Sequence, residues 1–276
     1  MQRWIVSVWI GLGISALACP AFADGGYSAC LNLPSWAQLK KELIGAVATS
    51  NNNGGLGNNM WATLVSVDGT VCAVAFSGRD FTSQWLGSRV ISAQKANTAN
   101  DFSLSNGSRL NGAGLVLSTA NLYSAVQPGG SLYGLQHSNP VDPQIAYGGA
   151  SDQFGTPQDP LVGQRIGGVN VFGGGLTAYS GGVRLGGIGV SGDTSCTDHS
   201  VAWHLRHNLG LDGLNGVPGV NSSSDPARPD NIIFDITAAT GNGLLNPNGD
   251  VGASATGFGH PMCINTPVVS TLPAVH

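Results

Sequence analysis

Residues 181–210 read GGVRLGGIGVSGDTSCTDHSVAWHLRHNLG, and they predict a strand that runs into a helix. After Arg184 the strand portion alternates small and apolar residues without a charge, which favours a strand packed closely on both faces. Ser195 is expected to cap the helix, with Asp198 in the first turn, where a negative charge is favourable. Gly210 supplies the C-terminal stop. We therefore expect one buried strand followed directly by one helix.

The predicted helix has two different faces when its residues are placed at 100° per residue. One face is aliphatic and is expected to be buried: Val201, Ala202, Leu205 and Leu209. The opposite face combines two imidazoles, an indole and a thiol, with one further imidazole at its margin: His199, His207, Trp203, Cys196 and the marginal His204. This composition is unlike an ordinary solvated surface, so this face is the strongest chemical signal in the chain.

Length and composition bound the classes of function that the chain supports. With 276 residues it is long enough for one sizeable core, or for one domain with a tail. Charged residues make up only 9% of the chain and the net charge is −4. A chain of this charge lacks the excess of basic residues that binding to nucleic acid or to an anionic membrane requires, so we expect neither as a partner.

The first 23 residues predict a cleaved secretory signal. Arg3 is the positive region, residues 5–17 form the apolar stretch, and residues 21–23 form an Ala-Phe-Ala cleavage motif. A membrane anchor and a lipoprotein attached at Cys19 are the less favoured alternatives. We therefore expect a periplasmic or secreted protein that has no membrane span after the signal is removed.

Removal of the signal would leave four cysteines, Cys30, Cys72, Cys196 and Cys263. Four cysteines in an exported chain indicate two disulfides, for which three connectivities exist. We favour the pairs Cys30–Cys72 and Cys196–Cys263. The second pair would bring the end of the chain back to the start of the helix, and closing so long a loop is worth about 4 kcal/mol.

The periodicity of the remaining segments predicts an α+β fold with an antiparallel sheet of about five strands. Asp68 and Gly69 form a strong hairpin signal between the first two strands. Helices are predicted over 35–50, 80–102 and 195–209, and strands over 60–67, 70–77, 169–179, 183–191 and 232–236. After residue 210 the sequence becomes rich in Gly, Asn and Pro. We therefore divide the mature chain into a domain over 24–210 and an irregular tail over 211–276.

Three stretches resemble the GlcG/HbpS family of haem-binding proteins, also called the haem-degrading domain family. LVSVDGTVCAVAFSGRD at 64–80 is similar to the family's first hairpin, which ends in an Arg-Asp pair. ISAQKANTANDFS at 91–103 is similar to its central helix with a Lys-Ala-x-Thr-Ala core. GGGLTAYSGGVRLGGIGVSGD at 173–193 is similar to its Gly-rich second hairpin. Together the resemblance covers roughly residues 33–210.

The resemblance implies a profilin-like sheet flanked by helices, a homo-oligomer and reversible haem binding. It also implies that the central helix borders the haem, where Thr98 would supply an oxygen ligand and Lys95 would meet a propionate. The alternative is an internal salt bridge for Lys95 and a bond to the helix backbone for Thr98. The sequence departs from the family at the last helix, which usually begins after an acidic stretch, whereas here it starts Cys-Thr-Asp-His and carries three histidines.

The late helix supplies the candidate ligands for iron. His199 and His207 lie about 12 Å apart along the helix axis, too far to bind one metal from a single helix. A Cys196–Cys263 disulfide would draw His260 towards His199, so we choose His199 and His260 as the pair for haem iron or for a metal ion. His207 is a further candidate for cofactor contact. The alternative is that these imidazoles only form structural hydrogen bonds or face solvent.

These observations predict an exported haem-binding protein for haem storage, scavenging or sensing. Whether it also degrades haem weakly stays open at this point. The alternative is a non-enzymatic accessory or sensory module that holds a metal ion or another small ligand.

Overall fold

The computed structural model describes residues 28–50, 54–236 and 253–276. The strands are β1 (Trp61–Ser66), β2 (Val71–Phe76), β3 (Gly175–Ser180) and β4 (Val183–Ser191). The helices are α1 (Trp36–Ser50), α2 (Ser88–Asp101), α3 (Leu122–Ala125), α4 (Leu135–Ser138), α5 (Pro143–Ala146) and α6 (Ser195–Asn208). The predicted secretory signal lies outside the described residues.

The four strands form one antiparallel sheet in the order β2-β1-β4-β3. Trp61 of β1 pairs with Phe76 of β2 on one side and with Ser191 of β4 on the other. Gly175 begins β3, opposite Gly189 of β4, so the strand predicted over 169–179 is present only in its second half. The predicted α+β class is confirmed.

Residues 232–236 do not form the expected fifth strand. The amide N–H of Ile232 donates to the side-chain oxygen of Asn231 at 2.9 Å. The carbonyl oxygen of Ile233 accepts a hydrogen bond of 2.8 Å from the amide of His260. Because these backbone groups bond to a side chain and to the C-terminal segment, they do not extend the sheet. The expectation of about five strands is therefore corrected to four among the described residues.

Helix α2 lies directly against β4 because this strand carries glycines on the facing side. A Cβ on Gly187 would come within 2.1 Å of the carbonyl oxygen of Ala96, and one on Gly189 within 1.9 Å of that of Ser92. Both distances are far shorter than van der Waals contact, so only glycine allows this approach. The Gly-rich pattern of β4 thus positions the central helix on the sheet.

Helices α1 and α6 cover the opposite face of the sheet. Their buried aliphatic side chains form one core with apolar residues of all four strands: Leu39, Leu43, Val201, Leu205, Leu64, Ala73, Leu176 and Ile188. The face of α6 predicted to be aliphatic therefore faces the sheet, as expected from its periodicity. Leu209, at the end of this face, is only partly buried.

Two helix starts differ from the predictions. The helix expected from residue 80 begins at Ser88, because Asp80 instead caps a short 3₁₀ turn by accepting a 2.8 Å bond from the amide of Thr82. Helix α6 is capped by the side chain of Thr194 and not by Ser195, which is already its first helical residue. Asp198 lies in the first turn, as predicted.

The second face of α6 is covered by the C-terminal part of the chain. Cys196 is joined to Cys263 and Cys30 to Cys72, which is the connectivity favoured from the sequence. The indole N–H of Trp203 donates to the carbonyl oxygen of Pro273 at 2.9 Å. Within the described ranges, none of the helices is both long and apolar enough to cross a membrane.

Candidate functional site

Lys95 of α2 and Asp198 of α6 form a fully buried ion pair. The Nζ of Lys95 lies 2.7 Å from Oδ2 of Asp198 and also donates to the carbonyl oxygen of Val190 at 3.0 Å. Its remaining surroundings include the ring of Phe172, whose centroid is 4.5 Å away. The second carboxylate oxygen of Asp198 accepts from the amide of Asp193 at 2.9 Å. This pair therefore ties the central helix to the start of α6.

Burial acts on the two charges of this pair in opposite directions. It raises the pKa of Asp198 and lowers the pKa of Lys95, whereas their mutual attraction opposes both changes. A buried pair of this kind is costly to break, because the remaining charge is left without a partner.

Thr98, the second residue of the central-helix motif, is also held by internal bonds. Its Oγ1 donates to the carbonyl oxygen of Gln94 at 2.7 Å and accepts from the amide of Asn170 at 2.9 Å. Lys95 and Thr98 thus have the internal contacts that the structural alternative describes. Their roles towards a propionate and towards iron stay predictions.

His199 of α6 is fully buried and uncharged. Its Nε2 lies 3.3 Å from the side-chain oxygen of Asn231. The amide of Ile232 lies 3.2 Å from the same Nε2 and also donates to the Asn231 oxygen at 2.9 Å. The tautomer therefore decides whether Nε2 accepts from this amide or donates to Asn231. Its Nδ1 is buried without a hydrogen-bond partner. Burial, followed by the positive charge of Arg206, lowers the pKa of His199 to about 3, so the imidazole is uncharged at neutral pH.

His260 has a similar character and lies on the C-terminal segment, where it is 1% exposed. Its Nδ1–H donates to the carbonyl oxygen of Pro261 at 2.7 Å. Its Nε2 has only a long contact of 3.4 Å with the amide of Gly173. Burial lowers the pKa of His260 to about 4. A neutral imidazole held through Nδ1–H by a backbone carbonyl is the usual form of a histidine that binds a metal through Nε2.

The Cys196–Cys263 disulfide brings His260 to the start of α6. The amide of Cys196 donates to Sγ of Cys263 at 3.2 Å. The ligand atoms of these two cysteines and of His260 all lie within 4.8 Å of one another, but the sulfurs are bonded to each other and offer no thiolate. His199 is close enough for His260 to lower its pKa. The assignment of His199 and His260 as one ligand pair stays a prediction.

His207 lies in a different place, in the last turn of α6. Its Nδ1 is 2.7 Å from a carboxylate oxygen of Asp212, and its ring stacks on that of His276. Neither Asp212 nor His276 was among the residues chosen from the sequence. Asp212 carried a weak signal, since it follows the helix stop at Gly210, whereas His276 is remote in sequence.

A cavity of about 440 Å³ lies between α3 and the C-terminal segment. Its lining includes Tyr123, Ile236 and Phe258. Tyr123 also contacts His260, with ring centroids 5.1 Å apart. A second, apolar cavity of about 210 Å³ is lined by Trp61 and by other aromatic residues near the start of α2. The sequence indicated neither cavity, because each is lined by segments that are distant along the chain.

These features define an α+β protein with two buried neutral imidazoles, one of which adjoins a cavity large enough for a small molecule. The family model described as haem degrading protein HbpS-like matches residues 42–205, which is more than half of the chain. The chain therefore belongs to the HbpS-like family of haem-degrading proteins. The resemblance seen in the sequence is confirmed.

Several solved structures are similar to this chain. A PduOC–haem complex is 21% identical with a TM-score of 0.40, and the match covers 64% of this chain and 94% of that one. The protein ORFY of Klebsiella pneumoniae is 23% identical with a TM-score of 0.39, covering 64% and 90%. A double mutant of HbpS from Streptomyces reticuli is 18% identical with a TM-score of 0.38, covering 70% and 97%. No curated protein matches the chain.

Proposed function

We propose that this chain is an exported haem-binding protein that stores, scavenges or senses haem. Membership in the HbpS-like family supports the proposal, since the matched residues 42–205 include the whole sheet together with α2. The structural observation that carries it is the state of His260. This imidazole is buried and neutral, and it lies beside a cavity that a small molecule could enter.

His260 has the donor chemistry that haem iron requires. Histidine is a common axial ligand of haem, and it binds through a ring nitrogen that carries no proton. With Nδ1–H held by Pro261, the lone pair of His260 is on Nε2, whose contact with the amide of Gly173 is long. Binding of iron would exchange this weak contact for a metal bond. The side-chain environment of His260 therefore fits an iron ligand.

The cavity next to Tyr123 suits an aromatic ligand. Its volume of about 440 Å³ lies in the range of about 300–1,000 Å³ that is usual for small-molecule sites. Phe258 and Ile236 supply apolar contacts, and the Tyr123 ring provides a flat surface. We propose this cavity as the haem site, with Tyr123 packing on one side of the bound group.

His199 is the second candidate ligand, through its unpartnered Nδ1 in the tautomer that carries its proton on Nε2. Neither histidine lines the cavity, but His260 contacts the lining residue Tyr123, so the use of His199 as a ligand requires a larger rearrangement than that of His260. Lys95 and Thr98 would need an even larger change, because every polar atom of their side chains already has a buried partner. We therefore rank His260 first, His199 second and the central-helix residues last.

Export and self-assembly are further parts of the proposal. Two disulfides support an oxidising compartment, where such bonds persist. Fractionation of cells, with the mature N-terminus determined by mass spectrometry, tests cleavage after residue 23. Light scattering of the purified protein tests the homo-oligomer. Product analysis after addition of haem and a reductant tests whether haem is degraded in addition to being bound.

A haemin titration followed by absorbance tests the binding proposal. We expect the wild-type protein to shift the Soret band, and His260→Ala to weaken affinity at least tenfold and to change the spectrum. His137 is exposed on α4, so His137→Ala serves as the matched control and should bind like wild type. Unchanged spectra and affinity in both His260→Ala and His199→Ala would contradict the proposed ligands, and a wild-type protein without a Soret shift would contradict haem binding.

A further inference from the structure

Three ligating side chains converge at the C-terminal end of α6. Nδ1 of His207 lies 2.7 Å from one carboxylate oxygen of Asp212, and Nδ1 of His276 lies 2.9 Å from the other. The two imidazole rings are stacked, with centroids 5.3 Å apart and planes inclined by 9°. The ligand atoms of the three residues all lie within 4.8 Å of one another. We call this group the His–Asp–His cluster.

Backbone hydrogen bonds hold the three residues in position. Gly210 adopts a left-handed conformation with φ of +65°, which ends α6 and turns the chain back towards His207. The amide of His276 donates to the carbonyl oxygen of Asp212 at 3.0 Å, and the carbonyl oxygen of His276 accepts from the amide of Asn215 at 2.9 Å. The backbone therefore fixes the positions of the three residues, and their proximity does not depend on side-chain conformation alone.

The cluster is open on one side and closed on the other. The side chain of Asp212 is 3% exposed, whereas those of His207 and His276 are 32% and 70% exposed. Within the part of the chain that the structure describes, the ion-pair partners of Asp212 are these two imidazoles. The negative charge thus has no permanent cation beside it, and the exposed His276 leaves a path for an ion from solvent.

We propose that the His–Asp–His cluster binds a divalent transition-metal ion of the class of Zn²⁺. Two imidazoles and one carboxylate form a donor set that Zn²⁺ and related ions prefer, and they leave further positions for water. Metal bonds of about 2.0–2.2 Å separate neighbouring ligand atoms by about 3.3 Å in a tetrahedral site. The present contacts are shorter because protons bridge them. The ion would replace these protons, and the exposed side chain of His276 can move outward to make room.

Such an ion would fasten the end of the described chain to α6. His207 belongs to the helix and His276 to the last segment, so one ion would connect the two through Asp212. The site is separate from the proposed haem site, because His260 and Tyr123 lie beside the other end of α6. The metal site and the haem site can therefore be tested independently.

Calorimetric titration of the full, disulfide-intact protein with Zn²⁺, after chelator treatment and without reductant, tests the proposal. We expect about one ion per chain, and a loss of affinity of at least tenfold in each of His207→Ala and His276→Ala. His137→Ala is the matched control for an exposed imidazole and should bind like wild type. Thermal unfolding should show a Zn²⁺-dependent rise in Tm for wild type that is lost in His276→Ala.

Two results would overturn the inference. One is wild-type affinity for Zn²⁺ in His276→Ala, since this exposed side chain can be removed without disturbing the core. The other is loss of Zn²⁺ binding in His260→Ala with retention in His276→Ala, which would assign the ion to the cluster of His260 with the disulfide. Co²⁺ gives a third readout, because its visible spectrum should indicate nitrogen and oxygen ligands in wild type and be absent in His276→Ala.

Discussion

The two ends of α6 use the same residue type in opposite environments. At its start, His199 and the neighbouring His260 are buried, and burial lowers the pKa of His199 to about 3 and that of His260 to about 4. At its end, the carboxylate of Asp212 raises the pKa of His276 through a hydrogen bond and through its charge. Burial therefore keeps His199 and His260 neutral, whereas the contact with the Asp212 carboxylate favours the protonated form of the exposed His276. The environment, and not the residue type, decides which chemistry each end supports.

The largest expected effect concerns the buried charge pair at the start of α6. Lys95→Met leaves Asp198 without its cation, so we expect a loss of about 3–5 kcal/mol in the free energy of unfolding. Urea denaturation measures this loss. Lys41→Met is the matched control, because Lys41 forms an ion pair with Glu42 while its side chain is 82% exposed. An exposed pair of this kind should contribute about 0–1 kcal/mol. Equal losses in the two variants would contradict the role assigned to burial.

The disulfide at the start of α6 is expected to have the next largest effect. Replacing Cys196 and Cys263 together by serine should cost about 2–5 kcal/mol, measured by urea denaturation, and should also weaken haemin binding because His260 loses its tether. The matched control replaces Cys30 and Cys72.

The control disulfide, Cys30–Cys72, spans 42 residues, and the Cys196–Cys263 disulfide spans 67. Chain entropy makes the two differ by only about 0.4 kcal/mol in stability. Haemin affinity should fall only in the variant without Cys196 and Cys263. A similar fall in affinity in both variants would show that general destabilisation, and not the position of His260, controls haem binding.

The two ends of α6 should also respond to pH with opposite signs. The buried imidazoles of His199 and His260 take up a proton only in the unfolded chain between pH 6.5 and about 4, so acid favours unfolding there. Each should cost about 2 kcal/mol of stability at pH 5 relative to pH 8. Urea denaturation at the two pH values should show this loss, and His260→Gln should reduce it. A stability that does not change between pH 8 and pH 5 would contradict burial of these imidazoles.

The smallest effect is expected at the exposed end of α6. Because the pKa of His276 is raised in the folded protein, its bond to Asp212 stabilises the fold below the unfolded pKa of 6.5, and this contribution is lost as pH rises through the folded value. In the wild-type protein this contribution partly offsets the loss of stability that the buried imidazoles cause at acid pH. In His276→Ala the free energy of unfolding should therefore fall slightly more steeply as the pH is lowered. A shallower acid dependence in this variant would show that His276 does not gain a proton on folding.

Local patterns in the sequence predicted the elements that surround the site. The 3.6-residue periodicity identified α6 and its aliphatic face, and the small residues of β4 predicted close packing, because both signals lie within one segment. The number and spacing of cysteines reduced the disulfides to three connectivities, of which the favoured one is present. These predictions needed only the pattern of residues within one segment or the number of cysteines.

The missing parts of the site depend on contacts between distant segments. The partner of Lys95 is Asp198, 103 residues away, and Asp198 looked from the sequence like an ordinary residue of a first helical turn. His276 meets Asp212 across 64 residues of irregular sequence that has no periodicity to guide a prediction. The segment 232–236 looked like a strand, but its backbone bonds to Asn231 and to the C-terminal segment instead. Such pairings follow from the packed structure alone.

The most direct measurement is a crossed titration of two variants with two ligands. Purified His260→Ala and His276→Ala are each titrated with haemin and with Zn²⁺ under identical oxidising conditions. We predict that His260→Ala loses haemin affinity and keeps Zn²⁺ affinity, and that His276→Ala does the reverse, each by at least tenfold. If both variants lose affinity for the same ligand, or if neither loses affinity for any, then the two ends of α6 do not have separate chemistries.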